Sequence, residues 1–158
     1  MISLSKTDIE ALTYLIRNFS EKLTVRQLAG KLEVTSAGLH QGLKKMEEFK
    51  LVRSIKLGTG LFYEINWGNE ASCHLAAFCL ALNPAPFATN TMVLVKGKRG
   101  ISLGTVSIDT YDITPMTKQA LLGKLRNRDG DVLDLIRTGN VTEGKILVEL
   151  IKEAAPRW

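Results

Sequence analysis

The sequence holds no apolar run approaching the roughly 18 to 20 residues that a bilayer-spanning helix requires, so no membrane partner is expected. Its opening residues, MISLSKTDIE, lack the basic-then-apolar order of a secretory signal. Cytoplasmic localisation is the expectation that follows. Cysteine is scarce, with Cys73 and Cys79 in ASCHLAAFCLAL as the only two. Together with His74 they fit no usual ligand spacing, and a four-ligand metal site needs more donors than this region offers. Both read as small apolar residues on a buried helix, and neither a metal nor a cofactor is expected. His40 and His74 are the only histidines. Neither has a nucleophile and an orienting acid beside it in sequence, so no triad-type catalytic set is indicated. The pattern G-x-x-x-x-G-K-[ST] is also missing, which excludes a P-loop.

What is present is a chain of 158 residues, 45% apolar and 23% charged, the composition of a globular protein of one large or two small domains. The net charge of +5 and a pI near 9.3 favour a polyanionic partner. Divided after Trp67, the chain carries 10 Lys/Arg against 7 Asp/Glu, then 11 against 9. The excess is thus shared, and neither half is a basic tail.

The first third reads as three helices and a hairpin. Ser5 is an N-cap with Asp8 three residues on, followed by Ile9, Leu12, Leu15, Ile16 and Phe19 at helical spacing. Thr24 caps a second helix, with Gln27 completing a capping box and Leu28 and Leu32 forming the apolar stripe. Thr35 caps a third, Ser36 to Phe49, whose Leu39, Leu43 and Met46 share one face. VRSIKL and LFYEINW are β-rich runs separated by GTG, a hairpin signal. NEASCHLAAFCLALNP then reads as a helix apolar on most sides, fit for burial between domains or against a partner subunit. NPAPFATN serves as a linker, because its prolines block regular structure.

LAGKLEVTSAGLHQGLKKMEEFKLV resembles the winged helix-turn-helix of prokaryotic MarR- and ArsR-type regulators. Leu28, Ala29, Leu32, Val34, Thr35, Leu39, Leu43, Met46, Glu47, Leu51 and Val52 stand at the anchor positions of that pattern. FYEIN is similar to the aromatic strand that such proteins carry after the wing tip, and the resemblance covers residues 5 to 67. It implies a helix that enters the DNA major groove. Thr35, Ser36, Ala37, Gly38, His40 and Gln41 would then lie near the groove. Gln41 can pair with an adenine edge, and His40 can donate to a base or phosphate. Lys44, Lys45 and Lys56 would neutralise phosphates. An alternative stands beside this reading: Glu47 and Glu48 can pair with the two lysines on the helix surface. The face also lacks arginine, the commonest base reader, which leaves protein recognition open. Gly38 and Gly42 sit inside the helix at a cost of about 1 kcal/mol each relative to alanine. Gly38 would allow close approach of backbone to phosphate.

The second half reads as α+β. TMVLVKG is a buried strand, KRG a turn, and ISLGTVSIDTYDI one long or broken strand. Thr114-Pro115 is expected to start the helix MTKQALLGKLRNR. Asp129 or Asp131 caps VLDLIR, Gly139 is its C′ residue, and Thr142 opens a last helix with Ile146, Leu147, Leu150 and Ile151 on one stripe. Residues 90 to 153 resemble the C-terminal part of small prokaryotic nucleotidyltransferase-fold proteins. That family's activity needs a Gly-Ser loop and a D-x-D carboxylate pair that share one strand face and hold Mg²⁺. Here VLVKGKRGISLG has neither. Asp109 and Asp112 are three apart, on opposite faces of a regular strand, and only Asp109 matches a third carboxylate. Lys96, Lys98 and Arg99 read as a solvated hairpin tip. RDGDVLD lacks the length and closing glutamate of a calcium loop, and helix capping explains it better. No enzyme is indicated.

The expected fold is therefore α+β: a winged helix-turn-helix at 1–67, a linker helix and Pro-containing linker at 68–89, and a small α+β domain at 90–158. That last domain would be a nucleotidyltransferase-like remnant or a dimerisation or sensor domain. The expected function is sequence-specific double-stranded DNA binding by a homodimeric prokaryotic transcriptional regulator. The alternative is a protein-interaction adaptor or antitoxin-like module that no longer binds DNA.

Overall fold

Reciprocal hydrogen bonds between Ser5 and Asp8 close a capping box at the start of α1, Lys6–Arg17. The same device between Thr24 and Gln27 opens α2, Val25–Leu32, and Thr35 caps α3, Ser36–Glu48. A cap satisfies amides that have no acceptor inside the helix. All three starts are therefore set by contacts within four residues of chain. In this computed structural model, residues 2–155 are described, and they divide into two compact units that meet in sequence between Leu75 and Ala76.

In the first unit the three helices are followed by an antiparallel hairpin, β1 at Val52–Leu57 and β2 at Gly60–Ile65. An isolated bridge between Thr24 and Phe62 ties the entry of α2 to the hairpin. Three helices and a two-stranded wing are the winged-helix arrangement. Leu12, Ile16, Leu28, Leu39, Leu43, Met46 and Ile65 are buried together with Ala29, whose small side chain lets α2 and α3 pack. The turn between these helices is three residues long. Glu33 enters it in the left-handed region at φ 56°, closing α2. Helix α4, Glu70–Ala81, starts in this unit and ends in the next.

The second unit is built on a four-stranded sheet of order β5-β4-β3-β6, with β3 at Val93–Lys96, β4 at Arg99–Leu103, β5 at Asp112–Met116 and β6 at Asn140–Val141. β3 pairs antiparallel with β4 and β6, while β4 and β5 run parallel. One sheet face carries Val93 and Val95 against Ala85, Phe87, Val106, Tyr111 and Ile113, with the Phe87 and Tyr111 rings edge-to-face at 4.9 Å. The opposite face belongs to α5 (Lys118–Arg126), α6 (Gly130–Thr138) and α7 (Gly144–Ala154). Leu121, Leu122, Leu125, Val132, Ile136, Leu147, Leu150 and Ile151 are buried there.

Three local expectations fail in this unit. Thr114 and Pro115 do not start a helix; both lie in β5, and Thr117 caps α5 instead. Pro115 is tolerated because β5 is an edge strand, where its missing N–H breaks no ladder. Gly139 follows α6 at φ −85°, outside the left-handed region of a C′ glycine. It is needed for space: a Cβ there would stand 2.4 Å from the Leu135 carbonyl oxygen and 2.8 Å from that of Val95. Thr142 does not cap α7, which begins after Glu143 without a side-chain cap. Its hydroxyl instead accepts from the Val93 amide at 2.8 Å and donates to the Thr91 carbonyl at 2.9 Å, fastening β3 from across the chain. The expected ISLGTVSIDTYDI strand is broken, with Asp109 in the turn between β4 and β5 and Asp112 at the start of β5. Asp129, the first of the two offered caps, does receive the Val132 amide at 3.1 Å.

Candidate nucleic-acid interface

Leu39, Leu43 and Met46 point inward from α3 and are buried. At about 100° per residue, the opposite stripe is Ala37, Gln41, Lys44 and Glu48, and all four are exposed. At the entry of the helix the Thr35 hydroxyl accepts from the Gly38 amide at 3.3 Å. The amides of Ser36 and Ala37 belong to the first turn, which has no intrahelical acceptor, and both residues are exposed beside Gly38. A cleft of about 520 Å³ runs between this outer face and the start of α1, bordered by Ser5, Gln41, Lys44 and Glu48. Glu48 thus shares the stripe with the candidate reading residues.

Lys45 lines this cleft as well, beside Asp8, while His40 faces the wing. His40 is half-buried and stands edge-on to Tyr63 of β2, with ring centroids 6.3 Å apart, so it braces the wing. Lys45 turns toward α1: its Nζ donates to Asp8 Oδ2 and to the Ser3 carbonyl, each at 2.8 Å. Lys56 is exposed near the wing tip, where Gly58 makes the turn at φ 59° and Leu57 is 47% exposed. Glu47, an anchor of the family pattern, receives both the amide and the hydroxyl of Ser54 and so locks α3 to β1. Neither lysine of the pair is held by Glu47 or Glu48 in the way helix spacing allows; the partner of Lys45 is Asp8.

Gly42 is explained by the same contact. A Cβ at this position would lie 2.3 Å from Asp8 Oδ1. Asp8 is 4% exposed and rests on the bare backbone of α3 while Lys45 and the Ser5 amide hold its other oxygen. Burial raises the Asp8 pKa, but the hydrogen bonds from Lys45 and Ser5 and the nearby ammonium charge outweigh it and hold the carboxyl below its ordinary value. Because the folded pKa is depressed, the unfolded chain binds more protons as the solution is acidified. The stabilisation is complete above the unfolded pKa of about 3.9 and is lost as pH falls through the lower folded value. Asp8→Asn is therefore expected to flatten the fall in urea midpoint between about pH 5 and pH 2 relative to the parent protein. An equal fall in both proteins removes this role. Tyr63 is shifted the other way, upward, by burial and by the negative charge of Glu47.

At the far end of α3, Lys50 adopts φ 58° and its carbonyl collects three donors: Asn66 Nδ2 at 2.9 Å, Asn69 Nδ2 at 2.8 Å and Ser72 Oγ at 3.2 Å. These residues come from the end of β2 and the start of α4, so the helix is pinned at both ends and along its inner face. Only its outer stripe and first turn remain open. Sequence spacing marks Asp8 only as a helix-capping residue, and it marks Ser54, Asn66 and Asn69 not at all. The one local signal was Gly42 itself, a costly residue inside a helix, but nothing in the sequence names its partner 34 positions away.

No family model and no curated protein matches the chain. Two solved structures of mutant forms of Lactococcus lactis ZitR are similar to it, each at 22% identity. One covers 45% of this chain and 47% of its own at a TM-score of 0.37. The other covers 48% and 50% at a TM-score of 0.40. The chain thus spans about half the length of the structures it matches.

Proposed function

We propose that the chain is a sequence-specific double-stranded DNA-binding protein, a prokaryotic transcriptional regulator that acts as a homodimer. The first unit places α3 in the major groove and β1–β2 against the backbone. The observation that carries this reading is the outer stripe of α3: Gln41 and Lys44 are exposed on a helix otherwise pinned by the core, the wing and Lys50. Gln41 is the base reader, the first turn after Thr35 receives a phosphate, and Lys44 and Lys56 neutralise phosphates. Ser36, Ala37 and Gly38 line the approach. His40 and Lys45 act on Tyr63 and Asp8 and orient the helix. The residues from 90 onward form a dimerisation or sensing domain descended from a nucleotidyltransferase fold, joined through α4 and the linker at 68–89. Two half-sites favour the dimer, because one such module makes few contacts.

Fluorescence anisotropy on genomic duplex fragments at graded salt tests this. Lys44 and Lys56 from each protomer give a log–log salt slope of roughly −4. Lys44→Ala is expected to shrink the slope by about 2 per dimer, whereas Lys45→Ala leaves it unchanged and lowers stability. Gln41→Ala costs about 1–3 kcal/mol at one base pair and relaxes preference there. Absence of binding to any duplex at low salt overturns the proposal. It would favour a protein-interaction adaptor, a reading supported by Glu48 on the same stripe and by two exposed apolar residues, Phe49 after the end of α3 at 46% and Leu57 near the wing tip at 47%.

A further inference from the structure

Within the second unit, Leu94, Ile101 and Val141 are buried beneath the helices on one sheet face. Strand alternation puts Arg99, Asp112, Thr114 and Met116 on that same face. Helix α6 packs over β3, and where the β4 and β5 ends extend beyond it a cleft of about 680 Å³ opens. That volume falls in the range of roughly 300–1,000 Å³ typical of small-molecule sites. Its lining divides into an apolar part, Ile101, Met116, Val132 and Leu135, and a charged rim.

The charges on the rim are not all matched. Lys96 pairs with Asp134 at 2.8 Å, and Lys124 pairs with Asp129 at 2.7 Å. Arg99, Asp112 and Asp131 also line the cleft, and among the described residues none of the three makes an ion pair. Arg99 and Asp112 are register partners on adjacent parallel strands, so one cation and one anion stand side by side with a second anion across from them on α6. A simple carboxylate would meet Arg99 but be repelled by two aspartates. A simple diamine would meet the aspartates but leave the guanidinium facing a cation. A molecule with one carboxylate and two ammonium groups matches all three, and its methylene chain suits the apolar floor.

We propose that this cleft binds a small zwitterion of the basic α-amino-acid class, its carboxylate on Arg99, its ammonium groups on Asp112 and Asp131, and its methylenes on Ile101, Met116 and Leu135. The rim is solvated, so the affinity is modest, with a dissociation constant on the order of 0.1–1 mM. Binding in this cleft does not require DNA binding by the first unit.

Titration calorimetry on the whole chain with L-lysine, cadaverine, L-norleucine and glutarate tests it. Lysine is expected to bind, with cadaverine and norleucine each about tenfold weaker or worse and glutarate silent. Arg99→Gln and Asp112→Asn, both at exposed positions, are expected to weaken lysine by about tenfold while leaving the unfolding midpoint unchanged. Lysine showing no heat, cadaverine equalling lysine, or Arg99→Gln binding as the parent does would each overturn the assignment.

Discussion

Asp8→Ala is expected to destabilise the first unit by about 2 kcal/mol, and Gly42→Ala by about 1–2 kcal/mol, yet the two together cost less than Asp8→Ala alone. The first change removes a capping box worth about 1 kcal/mol and leaves Lys45 without the carboxylate it faces at 2.8 Å. In the second, the new methyl would meet Asp8 Oδ1 at 2.3 Å. Aspartate is short and held by Ser5 and Lys45, so it cannot swing clear cheaply, and overpacking of about 1–3 kcal/mol exceeds the helix-propensity gain of about 1 kcal/mol. Once Asp8 is alanine the obstacle is gone, and the propensity gain is all that remains. A double-mutant cycle from urea unfolding therefore shows a change of sign in the effect of Gly42→Ala. The same cost in both backgrounds would mean that Gly42 is there for another reason. Duplex affinity of the Gly42→Ala protein should fall as well, since the carboxylate that sets the distance between α1 and α3 is displaced.

Gly139→Ala is expected to destabilise the second unit by about 3 kcal/mol. The atoms in its way, the carbonyl oxygens of Leu135 and Val95, are backbone and cannot turn aside as a side chain can. The Gly139 amide also donates to the Leu135 carbonyl at 2.7 Å, so any shift loosens the end of α6. Substitution by asparagine separates this cause from a conformational one. Asparagine tolerates the left-handed region, so Gly58→Asn at the wing tip, at φ 59° with nothing near its Cβ position, should be nearly neutral. Gly139→Asn should cost at least as much as Gly139→Ala. Near-neutral asparagine at 139 would restore the C′ role that the sequence suggested.

Gly42 and Gly139 both owe their identity to partners that no local pattern names. Capping boxes at Ser5 and Thr24, the Thr35 cap, the Leu39–Leu43–Met46 stripe and the hairpin about Gly58 were all legible, and the structure has each of them. Every one is a pattern that closes within a few residues of chain. The second half is legible as α+β, but at Pro115, Gly139 and Thr142 the sequence points to helix ends, because proline, glycine and threonine carry local meanings there. In the fold they serve an edge strand, a crossing of α6 over β3 and a hydrogen-bonded link between β3 and β6.

At the candidate interface the division is the same. Residue spacing alone determined that α3 exists, where it starts and that Gln41 and Lys44 face away from its apolar stripe, because helix geometry converts sequence position directly into direction. Only the tertiary structure decided that Lys45 belongs to Asp8, that His40 leans on Tyr63 and that Glu47 holds Ser54. A charged side chain has no directional preference until a partner is brought within a few ångströms, and chain folding brought Asp8 to Lys45 across 37 positions.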